Sequence, residues 1–192
     1  MVMVLTLFSV VICLGSLVAL PAQAAQWNVM KDKSTLIFSA TQNNATVEGQ
    51  FKSFQVDIRF DPNDLSTGYV KVMVDMNSVS AGYDELMATL KMPDWFSVQS
   101  YPQAIFEGKV FSHLEGQHYA VKGLLTVRDK TVPLTVAFEL QDYQPDHAKA
   151  IGKAILSRTA MGVGQGQWQD TKAVKDEVAV SFVIDAMPQL VK

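Results

Sequence analysis

Val132-Pro133-Leu134-Thr135-Val136-Ala137-Phe138-Glu139-Leu140 decides the fold class, because Val132, Leu134, Val136, Phe138 and Leu140 fall at every second position. An extended chain turns successive side chains to opposite faces, so this stretch is a strand with one apolar side. Val178, Val180, Phe182 and Ile184 repeat the pattern opposite Ala179, Ser181 and Asp185. One-faced strands belong to an antiparallel sheet with a single buried face, whereas a parallel α/β sheet shows continuous apolar runs.

Working outward, the spacing predicts eight strands, over residues 34–41, 46–60, 70–76, 104–111, 119–128, 132–140, 149–157 and 178–186. In the second of these, Phe54, Val56, Ile58 and Phe60 alternate with Gln55, Asp57 and Arg59, but Phe51 has the opposite parity. A bulge or bend near Lys52-Ser53 is needed if both Phe51 and Phe54 point inward. Gln42-Asn43-Asn44 and Asp61-Pro62-Asn63-Asp64 are turn clusters. Eight such strands joined by short turns suit an antiparallel barrel or a sandwich, and closure into a barrel removes exposed edges. The predicted fold is all-β, an eight-stranded antiparallel barrel whose interior is filled by side chains or holds one slender ligand.

Residues 83–98, YDELMATLKMPDWFSV, interrupt the strands between the third and the fourth. Asp84 and Glu85 place negative charge at a helix N-terminus, Leu86 and Leu90 share one helical face, and Pro93 stops the helix. The adjacent aromatics Trp95 and Phe96 are costly to leave in water. The insertion is therefore predicted to lie on one barrel mouth as a hydrophobic lid.

The first 25 residues of the 192 carry no charged side chain and run through an apolar stretch to Pro21-Ala22-Gln23-Ala24. An apolar h-region before an Ala-x-Ala site predicts a signal peptide over residues 1–24, with residues 25–192 as one exported domain. The leader lacks the Lys or Arg of a typical n-region, which leaves a retained anchor or a misassigned start as alternatives. The single cysteine, Cys13, lies in that leader, so no disulfide and no thiolate nucleophile is expected beyond it. With 16 basic against 19 acidic residues, a net charge of −3 and no basic stripe, nucleic-acid binding is excluded as an expectation, since that chemistry needs clustered cations.

Other chemistry is thin. His113-Leu114-Glu115-Gly116-Gln117-His118 reads as a polar hairpin tip and not as a metal site, and His147 stands alone. Gly162-Val163-Gly164-Gln165-Gly166 lacks the following helix that a phosphate loop needs, and reads as a loop that places Trp168 at a rim. Arg158, Asp170 and Asp176 can form a polar cluster, read as a structural ion pair or cap. They are also the polar candidates for an enzyme acting on a lipid. Asn44-Ala45-Thr46 fits a glycosylation sequon, relevant only in a glycosylating host.

Ten Phe, three Trp and nine Met supply a large apolar interior. It either packs solid, as in a structural or partner-binding barrel, or lines a dry tunnel. The tunnel reading takes Phe38, Phe54, Val72, Val74, Phe106, Leu125, Phe138 and Phe182 as walls, with Leu86, Leu90, Trp95 and Phe96 at the mouth. No metal or required cofactor is expected.

Several segments carry a resemblance. Trp27-Asn28-Val29 with Ser34, Val47-Glu48-Gly49-Gln50-Phe51, Phe60-Asp61-Pro62, Pro93-Asp94-Trp95-Phe96-Ser97-Val98, Tyr101-Pro102-Gln103-Ala104, Gly123-Leu124-Leu125-Thr126-Val127-Arg128 and the segment Gly162 to Trp168 together resemble the YceI-like, polyisoprenoid-binding family. That resemblance implies an all-β, extended eight-stranded antiparallel lipocalin-like barrel, periplasmic, that binds and does not catalyse, holding a polyisoprenoid, quinone or fatty-acid chain for transport or storage. It also implies a cytochrome b561-like membrane protein as a candidate partner, and leaves a homodimer open. This chain departs from the family where Lys33, Ala40-Thr41-Gln42, Leu86-Met87-Ala88-Thr89-Leu90 and Arg158-Thr159-Ala160-Met161-Gly162 stand. Those changes strip out polar head-group candidates, so the apolar lining transfers more readily than a head-group site.

Overall fold

The computed structural model describes residues 25–189, and the predicted leader over residues 1–24 lies outside them. Eleven strands and one helix follow in order: β1 Gln26–Val29, β2 Thr35–Gln42, β3 Ala45–Phe51, β4 Phe54–Arg59, β5 Tyr69–Asp75, β6 Val79–Ala81, α1 Asp84–Lys91, β7 Gln103–His113, β8 His118–Val127, β9 Lys130–Gln144, β10 His147–Ser157 and β11 Val174–Pro188. The order β1-β4-β5-β7-β8-β9-β10-β11 returns to β1 through Trp27↔Pro188 and Val29↔Ala186, all pairings antiparallel. Eight strands thus close into a barrel.

The remaining strands prolong members of that ring. β2 continues β1 along β11, β3 pairs with β2, and β6 pairs with β3. The predicted second strand, residues 46–60, is therefore two strands, with the break at the place where the parities of Phe51 and Phe54 conflict. Main-chain groups freed there find partners: Lys52 N–H donates to Ser78 O (3.2 Å), Ser53 N–H to Ser78 Oγ (3.0 Å) and Asp75 N–H to Ser53 O (3.0 Å). Asp75 in turn accepts from Asn77 N–H (2.9 Å) and starts the single 3-10 turn that divides β5 from β6. The predicted turn after β2 is a two-residue hairpin with Asn43 and Asn44 both at positive φ, the geometry whose twist matches the flanking strands.

Inward positions alternate along the long strands, as the period of two requires, except in β7, where a register shift between Gly108 and Val110 changes the inward parity from Ala104 and Phe106 to Phe111. Phe38 stands across from Gly49, and Phe182 across from Gly152. Each ring lies so close over its glycine that an added Cβ would sit 2.3 Å from Phe38 Cζ or 2.4 Å from Phe182 Cζ. Both phenylalanines are thereby laid along the barrel wall instead of across the lumen. At the end remote from α1, Phe60, Tyr119, Phe138 and Phe111 fill the interior ring against ring. One end is plugged, and the other carries α1.

Candidate ligand cavity

A cavity of about 470 Å³ runs through the barrel, within the ~300 to 1,000 Å³ common for ligand sites. All twelve residues predicted as walls or mouth line it: Phe38, Phe54, Val72, Val74, Leu86, Leu90, Trp95, Phe96, Phe106, Leu125, Phe138 and Phe182. Trp27, Phe60, Phe111 and Arg158, which the strand pattern does not assign to the lining, border it too. Phe60 ends a predicted strand in phase with Phe54, Val56 and Ile58, a signal available in the sequence, whereas Phe111 is out of phase with Ala104 and Phe106 and turns inward only past the register shift between Gly108 and Val110. Trp27 becomes a wall residue only through ring closure onto Pro188, which no local pattern records.

α1 covers one end. Its first turn holds Asp84 and Glu85 beside the partial positive charge of the helix N-terminus. Thr89 Oγ1 donates to Glu85 O (2.8 Å). Leu90 is buried against Phe38 and Val79, with Leu86 half-buried beside it. Pro93 ends the helix as expected, and a tight turn follows in which Trp95 N–H donates to Met92 O (3.0 Å) and Phe96 N–H to Leu90 O (2.9 Å). Ser97 takes positive φ to complete it.

This turn is fastened to the loop between β10 and β11. Arg128 Nη1 donates to Trp95 O (2.7 Å) and also to Gly162 O. Gln165 N–H donates to Asp94 O (2.7 Å), and the Trp95 and Trp168 rings stand 5.6 Å apart. Trp168, half-buried, lines the cavity at this rim. The indole N–H of Trp95 is buried without a hydrogen-bond partner among the described residues.

Arg158 is 1% exposed, and it corrects the expectation of an ion pair. Its guanidinium meets no carboxylate within salt-bridge distance among the described residues; it donates to main-chain carbonyls instead. Nε reaches Lys175 O (3.0 Å), Nη1 reaches Val163 O (3.1 Å) and Gly164 O (2.9 Å), and Nη2 reaches Val174 O (2.8 Å) and Asp170 O (3.4 Å). Burial pulls its pKa below the usual arginine value, with the Asp176 carboxylate pushing back. Gly164 is at positive φ, and a Cβ there would lie 2.4 Å from Arg158 Nη1, so the loop needs glycine at this point for conformation and for space. Asp176 is the capping group of the cluster: it accepts from Thr159 N–H (3.0 Å) and Oγ1 (2.6 Å), bonds that hold its carboxyl below the usual range. The exposed Asp170 carboxylate accepts from Lys172 N–H (2.8 Å).

The histidines lie elsewhere. His113 donates through Nε2 to Gly116 O (2.8 Å) across the β7–β8 hairpin tip. His147 Nδ1 is 2.7 Å from Asp142 Oδ2 and its Nε2 is 2.9 Å from Asp185 Oδ1. Two carboxylates on one ring favour the imidazolium, and its pKa is raised, by Asp142 first and Asp185 second. Both neighbours in sequence, Ala148 and Ala186, line the cavity, so alternation turns His147 and Asp185 to the outer face. Among the described residues no group of His, Cys, Asp and Glu could hold a metal ion, and no helix is long and apolar enough to cross a membrane.

The lining is thus almost wholly apolar. Its polar members are Gln42, Tyr83, Glu85 and Thr89 near α1, together with Arg158, whose donors are all engaged, and the indole groups. Such a passage can receive an apolar chain and leave a polar end at the α1 mouth.

Known structures share this architecture. The chain is similar to Burkholderia cenocepacia BcnA, at 30% identity and a TM-score of 0.79, over 82% of this chain and 99% of that one. It resembles the fold of the Campylobacter jejuni YceI protein, at 17% identity and a TM-score of 0.70, over 76% of this chain and 87% of that one. A polyisoprenoid binding domain from Saccharophagus degradans has the same fold, at 14% identity and a TM-score of 0.69, over 87% of this chain and 100% of that one. No curated protein matches. The family model for the YceI-like domain matches residues 27–186, nearly the whole of the closed barrel, and the chain belongs to the YceI-like family.

Proposed function

We propose that this protein is an exported lipid-binding barrel that holds one long apolar chain, of the polyisoprenoid, quinone or fatty-acid class, for carriage or storage in the periplasm. The observation that carries this reading is the cavity of about 470 Å³ with apolar walls and most of its polar side chains gathered near one mouth. At ~0.8 kcal/mol per buried methylene, a chain of about a dozen carbons offsets much of the cost of association, and a longer one exceeds it. No strong polar anchor is needed. The polyisoprenoid binding domain among the structural relatives supports the same ligand class.

Organic extraction and native mass spectrometry of the protein purified from its own host test the proposal. A co-purifying prenyl or acyl lipid is the expected result. A consistently empty barrel that takes up no added quinone or polyprenol would refute it. N-terminal sequencing of the same preparation is expected to begin at Ala25, and an intact Met1 would refute cleavage of the leader. If the extracted lipid is a quinone, a cytochrome b561-like membrane protein is the partner to test, with a homodimer checked by solution mass.

A further inference from the structure

We infer that the aromatic layer at the floor of the barrel is a ruler that sets the length of chain the cavity accepts, with Phe60 as its stop; this rests on the lipid-binding reading above. Phe60 is buried and its ring contacts Phe111 and Tyr119 at 5.5 Å and Phe138 at 5.7 Å between centroids. The Phe60–Tyr119 and Phe60–Phe138 contacts are near edge-to-face, the preferred arrangement for aromatic pairs. The Phe60 main chain is also tied down: Trp27 Nε1 donates to Phe60 O (3.1 Å) in a buried bond. Three rings and a hydrogen bond hold one stop in place.

What lies beyond the layer gives the stop its meaning. Trp27 borders the cavity on one side and, on the other, a surface hollow of about 270 Å³ shared with Tyr143, Pro145 and Pro188. The floor separates a dry passage from the surface, and a tail that passed it would re-enter water and gain nothing.

The length follows from the strands. Val174 and Ala186 both line the cavity, and β11 is bulged between Val174 and Val178, so that this stretch advances ten strand positions; at about 3.3 Å per position and a tilt of about 40° it runs about 25 Å along the axis. With C–C bonds of about 1.5 Å, a zigzag chain advances about 1.25 Å per carbon, so the passage takes about 20 chain carbons or about five isoprene units. An eight-stranded barrel is wide enough for one slender ligand, which leaves no room for the tail to double back. Each methylene added within the passage raises affinity about four-fold; each one added beyond the floor leaves it unchanged.

The test is a titration of the full chain, stripped of lipid, with polyprenols of two to ten isoprene units, followed by native mass spectrometry and tryptophan fluorescence. Affinity is expected to climb to about five units and then level off. Phe60→Ala should move the levelling point up by about one unit. Ala150→Phe should move it down by about one, because Ala150 lines the cavity across from Ile184, one inward rung above the Ala148–Ala186 pair at the floor. Ala150→Phe fills space beside the aromatic layer without removing any of its rings, so it decides the matter even where Phe60→Ala fails to fold. A climb without a break through ten units, or a break that Ala150→Phe does not move, overturns the ruler while leaving lipid binding in place. Failure of every polyprenol to bind overturns the lipid reading as well.

Discussion

Replacing Arg158 by methionine should cost about 4 kcal/mol of folding stability, a large share of the ~5 to 15 kcal/mol that holds a domain of this kind together. Five carbonyls lose their donor. Those of the exposed residues Asp170 and Lys175 can turn to water, whereas those of Val163, Gly164 and Val174 belong to buried residues. Stranding three buried carbonyls at ~1 to 3 kcal/mol each gives roughly 3 to 9 kcal/mol. Relief of the desolvation penalty works the other way and is taken as about 2 kcal/mol, because a guanidinium is more weakly hydrated than an ammonium. Set against the middle of that range, about 6 kcal/mol, it leaves about 4 kcal/mol.

Arg158→Lys should recover less than half of that loss, because a lysine tip cannot present the planar fork that reaches carbonyls on both sides. Urea unfolding at constant m-value measures both variants. A loss below about 1 kcal/mol for methionine, or full recovery by lysine, refutes the claim that the guanidinium organises residues 158–175.

Two further outcomes are expected. Trp95→Ala should lower lipid occupancy, read by native mass spectrometry, more than it lowers stability, since the ring is only half-buried and its contact with Trp168 accounts for about 0.5 to 1.5 kcal/mol; Trp95→Phe should keep occupancy, because the indole N–H has no partner to lose, and a larger effect on stability than on occupancy would make Trp95 a core residue. The thermal midpoint should fall as pH rises past the ordinary histidine value near 6.5, because a group with a raised folded pKa contributes fully below its unfolded value and loses that contribution through the folded one; Asp142, whose pKa is lowered by the same bond, removes its share at acid pH, and His147→Gln should flatten the alkaline fall if the Asp142–His147–Asp185 bridge is its cause.

The strand pattern was legible because burial on one face leaves a period of two in the residues themselves, as in 132–140 and 178–186. The break at Lys52-Ser53 was legible for the same reason, since Phe51 and Phe54 cannot both face inward on an unbroken strand. What followed from the break was not. The change of partner, by which β3 leaves the ring to pair with β2 and β6, depends on neighbours far away in the chain. Arg158 shows a different limit: a sequence displays charged partners such as Asp170 and Asp176, but every residue carries a carbonyl, so a guanidinium held by main chain leaves no trace.

The lumen itself has the same origin. Phe38 and Phe182 read equally well as filling the core or lining a tunnel, and side-chain size cannot choose between them. Register chooses. Gly49 and Gly152 stand directly across from them, and the rings lie over the missing Cβ positions at separations no other residue would allow. With side chains at those two positions, each ring would have to leave its cross-strand partner, and the space to leave into is the cavity. A barrel of identical apolar composition, with the glycines one rung away, would therefore pack those rings into the volume this one keeps open. The cavity is a consequence of which residues are paired, and composition alone does not contain it.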